Sequence, residues 1–282
     1  MSVMSEKPDK KRIFDTAAVI TSRQNPTVSA AAKLSDKKHR DEAGLFLIDG
    51  IKLTEEAAAS GLSVEYILLT ERAAEKYSHT LAPLVGRTRV YILSEPAFSR
   101  VTDERAPEGV VAAVRYSDSV RRRYVSADAC APECGLILDG VQNPENFGAI
   151  LRSARAFGIG NIICGEGCAD IYGRRVMRAS MGAALHVGTL RTDSAADVCR
   201  ELAANGHRVI AAVPRDDALT LSDFEFRRGD FVVIGNEGHG VSREVMDSVT
   251  GCVYIPMAEG QESLNAACAA SVILWEMYKN AR

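Results

Sequence analysis

The chain has 282 residues, 46% of them hydrophobic, enough for a core in each of two modest domains. With 34 Lys and Arg against 37 Asp and Glu, the net charge of -3 excludes a generally polycationic protein. Any nucleic-acid contact must then be local and shape-dependent, not a broad basic field.

The opening "MSVMSEKPDKKR" has no apolar h-region, and no run is long enough to span a bilayer, so we expect a cytoplasmic protein without a membrane partner. Residues 1–18 read as a tail. Residues 1–40 hold nine Lys and Arg against four Asp and Glu, including "KLSDKKHR" from Lys33 to Arg40. That run is a candidate RNA contact; its bland reading is a solvated helix face. From Ile20 onward helices and strands alternate. Val28 to Leu34 has helical spacing, "GLFLIDG" reads as a strand and "IKLTEEAAAS" as a helix. "VEYILLT" is a strand, "ERAAEKYSHTLAPLV" a helix, and "RVYILS" and "GVVAAVRY" are strands. These elements predict a domain over 19–116 with a sheet covered by helices. Residues 117–133, rich in charge, Ala and Pro, read as a linker.

The second domain is expected over 134–282, with strands at Leu136–Leu138, Asn161–Cys164, Arg208–Val213, Asp230–Ile234 and Cys252–Ile255. Helices fill the gaps near 146–158, 174–181, 195–205, 242–248 and 263–279. This is an α/β domain with a mainly parallel sheet, in which ligands gather beyond the C-terminal strand ends. Seven cysteines, at 130, 134, 164, 168, 199, 252 and 268, have no histidine close in sequence. Free thiols are expected, and no metal site.

Three loops that follow these strands carry residues unlike core material. The first, "LDGVQNPENFGAILRSARAFG", leads into a helix expected to start near Asn146. Arg152 and Arg155 share one side of that helix. Arg152 lies six residues from Asn146, so the two converge only if Asn146 is at the cap. The second, "FVVIGNEGHGVS", has three glycines in six positions, which lets backbone approach a ligand, and Ser242 can cap the next helix. It lacks both the dinucleotide fingerprint and a Walker lysine. The third, "IPMAEGQESLNAACAASVILW", turns from strand to apolar helix through Gly260, Glu262, Ser263 and Asn265. Leu264, Ala267, Cys268, Ser271, Val272 and Trp275 share one face of that helix. Capping explains Ser263 better than Asn265. Three such loops on one sheet point to a single site.

In order, "VQNPENFGAILRSARAFG", "VVIGNEGHGVS" and "IPMAEGQESLNAACAAS" resemble the three motifs of the SpoU/TrmH family, RNA ribose methyltransferases of the SPOUT class. "RRVMRASMGAALHV" also matches. "ITSRQNPTVSAAAKLSDKKHRDEAGLFLIDGIKL" resembles the family's L30e-like substrate-binding domain. Departures are small: "NAACAA" follows the Ser-Leu, and Asp49 stands where Glu is commoner before Gly50.

The resemblance implies a trefoil-knotted C-terminal α/β domain that binds S-adenosylmethionine and dimerises through the same region. It implies methylation of a ribose 2′-hydroxyl, with ribosomal RNA favoured over tRNA because of the extra N-terminal domain. By the same resemblance Arg152 is the catalytic arginine. A guanidinium stays protonated above neutral pH, so we read it as an orienting and charge-stabilising group and leave the base open. Asn146 would position Arg152 or the ribose, Glu237 would fix the loop or Arg152, and Ser263 and Asn265 would be held at the site. Cofactor contacts would come from Gly235, Asn236, Gly238, Ile255, Met257, Leu264 and Asn265. Two rival readings are a non-catalytic RNA-binding or ribosome-assembly protein on the same fold and a nucleotide-binding oxidoreductase. The first leaves Asn146, Arg152, Glu237, Ser263 and Asn265 unexplained; the second lacks its glycine fingerprint.

Overall fold

The computed structural model describes Phe14 and residues 17–130, 133–215, 217–260 and 263–280. Most of the expected tail, residues 131–132 of the expected linker, and Gln261 and Glu262 of the third loop lie outside the described residues. The chain divides into two compact units, one running to Tyr116 and including Tyr172–Arg174, the other formed by the rest.

The first unit is built on β1 (Ala18–Ile20), β2 (Leu45–Asp49), β3 (Val64–Thr70), β4 (Arg89–Leu93) and β5 (Val110–Arg115), in the order β1-β4-β3-β5-β2. β1, β4 and β3 run parallel, while β5 is antiparallel to both β3 and β2. Phe46, Leu47, Ile48, Ile67, Leu68 and Leu69 have no exposed surface, which is why these strands read as continuous apolar runs. Helix starts are set by side chains that accept free backbone N–H groups: Asn25 from Thr27 at 2.8 Å, Asp36 from Lys38 at 2.7 Å and Thr70 from Ala73 at 3.2 Å. The stretch "ERAAEKYSHTLAPLV" forms two short helices, Glu71–Lys76 and Ser78–Leu81, instead of one. Arg40, the last residue of the basic run, is buried and donates to the carbonyls of Leu34 and Ser35 at 3.0 and 2.8 Å. Its guanidinium serves the fold.

The second unit holds an all-parallel sheet of eight strands: β6 (Arg121–Arg123), β7 (Gly135–Leu138), β8 (Asn161–Cys164), β9 (Thr189–Arg191), β10 (Val209–Ala212), β11 (Leu219–Thr220), β12 (Phe231–Ile234) and β13 (Gly251–Tyr254). The order is β11-β13-β10-β12-β7-β8-β9-β6. The segment expected as linker thus contributes an edge strand, β6. Because β13, β10, β12 and β7 are adjacent and parallel, the loops leaving them emerge side by side.

The helix after β7 runs Pro144–Ala156. Asn143 caps it, accepting from the N–H groups of Glu145 and Asn146 at 2.9 Å each, with Pro144 at the first helical position. Asn146 is therefore inside the first turn and is not the cap. Phe147, Ile150, Leu151 and Ala154 face the core, each large side chain contributing about 1.5–3 kcal/mol by burial. Gly148 is required on the flank, where a Cβ would stand 2.6 Å from the Ala179 Cβ and 2.8 Å from the Val176 carbonyl. The last helix, Ala266–Asn280, buries Ala267, Ala270, Ile273, Leu274 and Met277. Ser153 and Ser271 join the two helices by a 2.7 Å hydroxyl hydrogen bond.

Candidate active site

A cavity of about 930 Å³ opens where the four central strands end. Its lining comes from the loop after β7 (Gln142, Asn143, Asn146), the loop after β12 (Gly235 to Val241) and the loop after β13 (Ile255, Met257, Ser263, Leu264, Asn265). A fourth contribution, Ala212 to Pro214 after β10, was not anticipated, because nothing in that stretch departs from ordinary strand-end chemistry.

The wall is a chain of amide and carboxylate contacts. Glu237 accepts from the backbone N–H of Gln142 at 3.2 Å and of Asn143 at 3.1 Å, and from the Asn146 side-chain amide at 3.0 Å. The Asn146 carbonyl oxygen in turn accepts from the Asn265 amide at 2.9 Å. Asn265 closes the chain by capping the last helix, accepting from Ala267 N–H at 2.9 Å and Cys268 N–H at 3.3 Å. The cap is thus Asn265, where Ser263 was expected. Burial works to raise the Glu237 carboxyl, but the hydrogen bonds from Asn146, Asn143 and Gln142 outweigh it and hold it below the usual carboxylate range. The glutamate stays charged as the anchor of three donors.

The glycine loop after β12 is fixed by its own asparagine. Asn236 donates to the Gly140 carbonyl at 2.7 Å and accepts from the N–H groups of Gly238 at 2.8 Å and His239 at 3.2 Å. Asn236 and Gly240 also exchange two backbone hydrogen bonds of 2.9 Å. Gly235 has no room for a side chain: a Cβ would sit 2.3 Å from both Gly240 C and Val241 N. Ser242 does not cap the next helix through its side chain; its N–H donates to Asp139 at 2.7 Å.

The structure therefore gathers Asn146, Gly235, Asn236, Glu237, Gly238, Ile255, Met257, Ser263, Leu264 and Asn265 around one cavity. Arg152 is not among them. It is exposed on the Pro144–Ala156 helix, and Glu237 meets Asn146, not Arg152. Sequence reasoning missed Gln142, Asn143 and His239, although the Asn-Pro pair at the helix start was a usable signal for Asn143.

The cavity suits a small heteroaromatic cofactor. Its volume lies in the range of about 300–1,000 Å³ usual for such sites. Ile234, Val253, Ile255, Leu264 and Ala269 offer apolar walls, while the glycines at 235, 238 and 240 leave the loop backbone open to close approach. Among the described residues no group of three or more His, Cys, Asp or Glu could hold a metal ion. All seven cysteines are free, and burial pushes the Cys130 and Cys168 thiols up to about 11 and Cys199 to about 12, so these stay protonated.

Residues 133–275 match the SpoU rRNA Methylase family, and residues 25–112 match an MRM3-like substrate binding domain. The chain belongs to the SpoU rRNA methylase family. An uncharacterized tRNA/rRNA methyltransferase of Synechocystis is 32% identical over 92% of this chain and 93% of its own length. The 23S rRNA (guanosine(2553)-2'-O)-methyltransferase RlmP of Bacillus subtilis is 29% identical, over 92% of this chain and 98% of its own. The AdoMet-bound rRNA methyltransferase of Sinorhizobium meliloti, a crystal structure, superimposes with a TM-score of 0.79 at 27% identity, over 93% of this chain and 98% of that one. The expected methyltransferase fold, a mixed α/β architecture with a mainly parallel sheet and an N-terminal substrate-binding domain, stands on these matches.

Proposed function

We propose that this enzyme methylates a ribose 2′-hydroxyl of ribosomal RNA with S-adenosylmethionine as donor. The observation that carries the reading is the cross-linked cavity wall, in which Glu237 and Asn265 from two loops and Asn146 from the first turn of the Pro144–Ala156 helix form one hydrogen-bonded chain. Such a wall sets the shape of a site before any ligand arrives, which is what methyl transfer from an activated donor requires of a protein. When bound, S-adenosylmethionine supplies a methyl group already activated on a sulfonium. The chain's own residues then have three tasks. Backbone at Gly235, Asn236, Gly238, Ile255 and Leu264, with the Met257 side chain, holds the cofactor against the apolar wall. Asn146, Ser263 and Asn265 align the ribose. Arg152, which stands outside the cavity, is assigned by the family resemblance to orient the 2′-hydroxyl that the RNA brings and to stabilise charge as it develops on that oxygen. Ribosomal RNA is preferred over tRNA because RlmP, matched over nearly its whole length, is named for 23S rRNA.

Two further features belong to this reading. The first is a homodimer through the second unit. The last helix has a second apolar side beyond its buried one: Val272 is 39% and Trp275 46% exposed. Trp275 lies 5.8 Å from the Phe157 ring and 5.9 Å from Tyr278, giving an aromatic patch across two helix ends that suits a second copy. The family's trefoil knot, which would thread the last helix through this region, is proposed with it. The second is a cytoplasmic location, consistent with seven free thiols. No described helix is long and apolar enough to cross a membrane.

The test is incubation of protein-free ribosomal RNA with methyl-labelled S-adenosylmethionine, followed by alkaline hydrolysis. A 2′-O-methyl group removes the nucleophile of alkaline cleavage, so the label is expected in alkali-resistant dinucleotides. Label released in mononucleotides would refute ribose methylation, and label confined to added tRNA would refute the ribosomal substrate.

A further inference from the structure

The substrate-binding unit must touch RNA somewhere, and its exposed cations differ in how they are committed. In the helix Lys37–Ala43, Lys37 pairs with Asp41 at 2.8 Å, His39 faces Glu42 at 3.2 Å and Arg40 is buried against carbonyls, which leaves Lys38 exposed without an acid partner among the described residues. At the opposite end of β3 and β4 from the loop considered next, Glu65 pairs with both Arg89 and Arg115. The turn that leaves β1 is different. Thr21, Ser22, Arg23 and Gln24 are all exposed, yet their backbone is tied down at several points. Ser94 donates through its hydroxyl to the Thr21 carbonyl at 3.0 Å, Asn25 N–H donates to the Ser22 carbonyl at 3.2 Å, and Gln24 N–H donates to the Ser22 hydroxyl at 3.2 Å. Arg100 donates from Nη1 to the Arg23 carbonyl at 3.0 Å.

The last bond sets two arginine-bearing segments side by side. Neither Arg23 nor Arg100 pairs with a carboxylate among the described residues. The Arg100 guanidinium, held at the Arg23 carbonyl, and the exposed Arg23 side chain thus put two cations without an acid partner among the described residues on one tied-down turn, an arrangement that suits an anion. A planar guanidinium fork matches the oxygens of a phosphodiester better than a lysine does. The fixed turn lowers the ordering cost of binding. The Pro26–Lys33 helix begins directly after it, adding the positive end of its dipole.

We propose that the Thr21–Asn25 turn, through Arg23 with Arg100 beside it, is the RNA-backbone contact of the substrate-binding unit, in place of the Lys33–Arg40 run. The inference rests on the ribosomal-RNA reading above. It deepens that reading by naming the surface and the chemical group, a phosphodiester, that it takes.

The experiment measures binding of the full-length protein to protein-free ribosomal RNA across a salt series, for wild type, Arg23→Ala, Arg23→Ala with Arg100→Ala, and Lys33→Ala with Lys38→Ala. Among the described residues the Arg23 side chain makes no hydrogen bond, so Arg23→Ala should melt like wild type. It should bind RNA about threefold to tenfold more weakly and lower the salt-dependence slope by about one. The double arginine variant should lose about two from the slope, and the double lysine variant should change little. Unchanged affinity and slope in both arginine variants would overturn the proposal, as would a lysine variant that accounts for the whole loss. Calorimetric cofactor binding and methyl incorporation by the wild type are measured in parallel. If the wild type fails these, the enzymatic reading fails; if it passes and Arg23→Ala is silent, only the surface assignment fails.

Discussion

The Pro144–Ala156 helix presents two sides that are built in opposite ways. Asn146, in its first turn, is locked between Glu237 and Asn265, each within 3.0 Å. Arg152, six residues on, stands exposed and outside the cavity. The difference follows from rotation: six residues at 3.6 per turn leave the two side chains about 120° apart on the helix. One helix can therefore shape a cofactor pocket with one side and keep on another a cation that has no acid partner among the described residues. The pocket side is cross-linked by hydrogen bonds, and in the proposed function the arginine side meets a group that arrives with the RNA.

Variants that attack the locked side should strike cofactor binding. Gly235→Ala is expected to be the most damaging, because its methyl group meets backbone and not a movable side chain. Overpacking of about 3 kcal/mol, concentrated in the loop, would weaken S-adenosylmethionine binding by about 100-fold, measured by calorimetry. Trp275→Asp should leave that pocket intact and break the proposed dimer, raising its dissociation constant by about 30-fold or more in sedimentation.

Glu237→Gln sharpens the comparison through pH. The folded-state carboxyl titrates lower than a free one, so its contribution is complete above the ordinary carboxylate value and is lost as pH falls through the lowered one. Cofactor affinity of the wild type should thus be flat from neutrality to about pH 5 and fall in stronger acid. Glu237→Gln should lose about tenfold at neutral pH, the scale of one charge-assisted hydrogen bond, and show less of the acid-side decline. A wild-type decline centred near pH 6–7 would reject Glu237 as the anchor. Arg155→Ala, on the arginine side but outside the motif positions, should have the smallest effect: about threefold weaker RNA binding in filter assays, with cofactor affinity unchanged.

Much of this contrast was legible in the sequence because the central strands are buried on both faces. "LILDG", "NIIC" and "FVVIG" are apolar runs that end in turn residues, and β7, β8 and β12 fall on them within a residue. The strands that escaped notice, β1, β6, β9 and β11, have two or three residues each, too short for an apolar period to announce them. The caps were misplaced for a related reason. Asn143, Asn146, Ser263 and Asn265 are all able to cap, and only the path of the backbone decides which one does. The gathering of Asn146, Glu237 and Asn265, separated by 91 and 119 residues along the chain, depends on strand order, which motif order suggests but periodicity cannot supply. That Arg152 stays apart follows from helix rotation once the cap is known.

The measurement that tests the division most directly is single-turnover methyl transfer by Arg152→Ala at saturating cofactor, with cofactor affinity determined on the same preparation. A locked pocket and an arginine outside it give a rate reduced by about 10²–10³ with unchanged cofactor affinity. Arg152→Lys should fail as well, since an ammonium does not reproduce the planar fork. A near wild-type rate, or a loss of cofactor affinity in place of rate, would contradict the account.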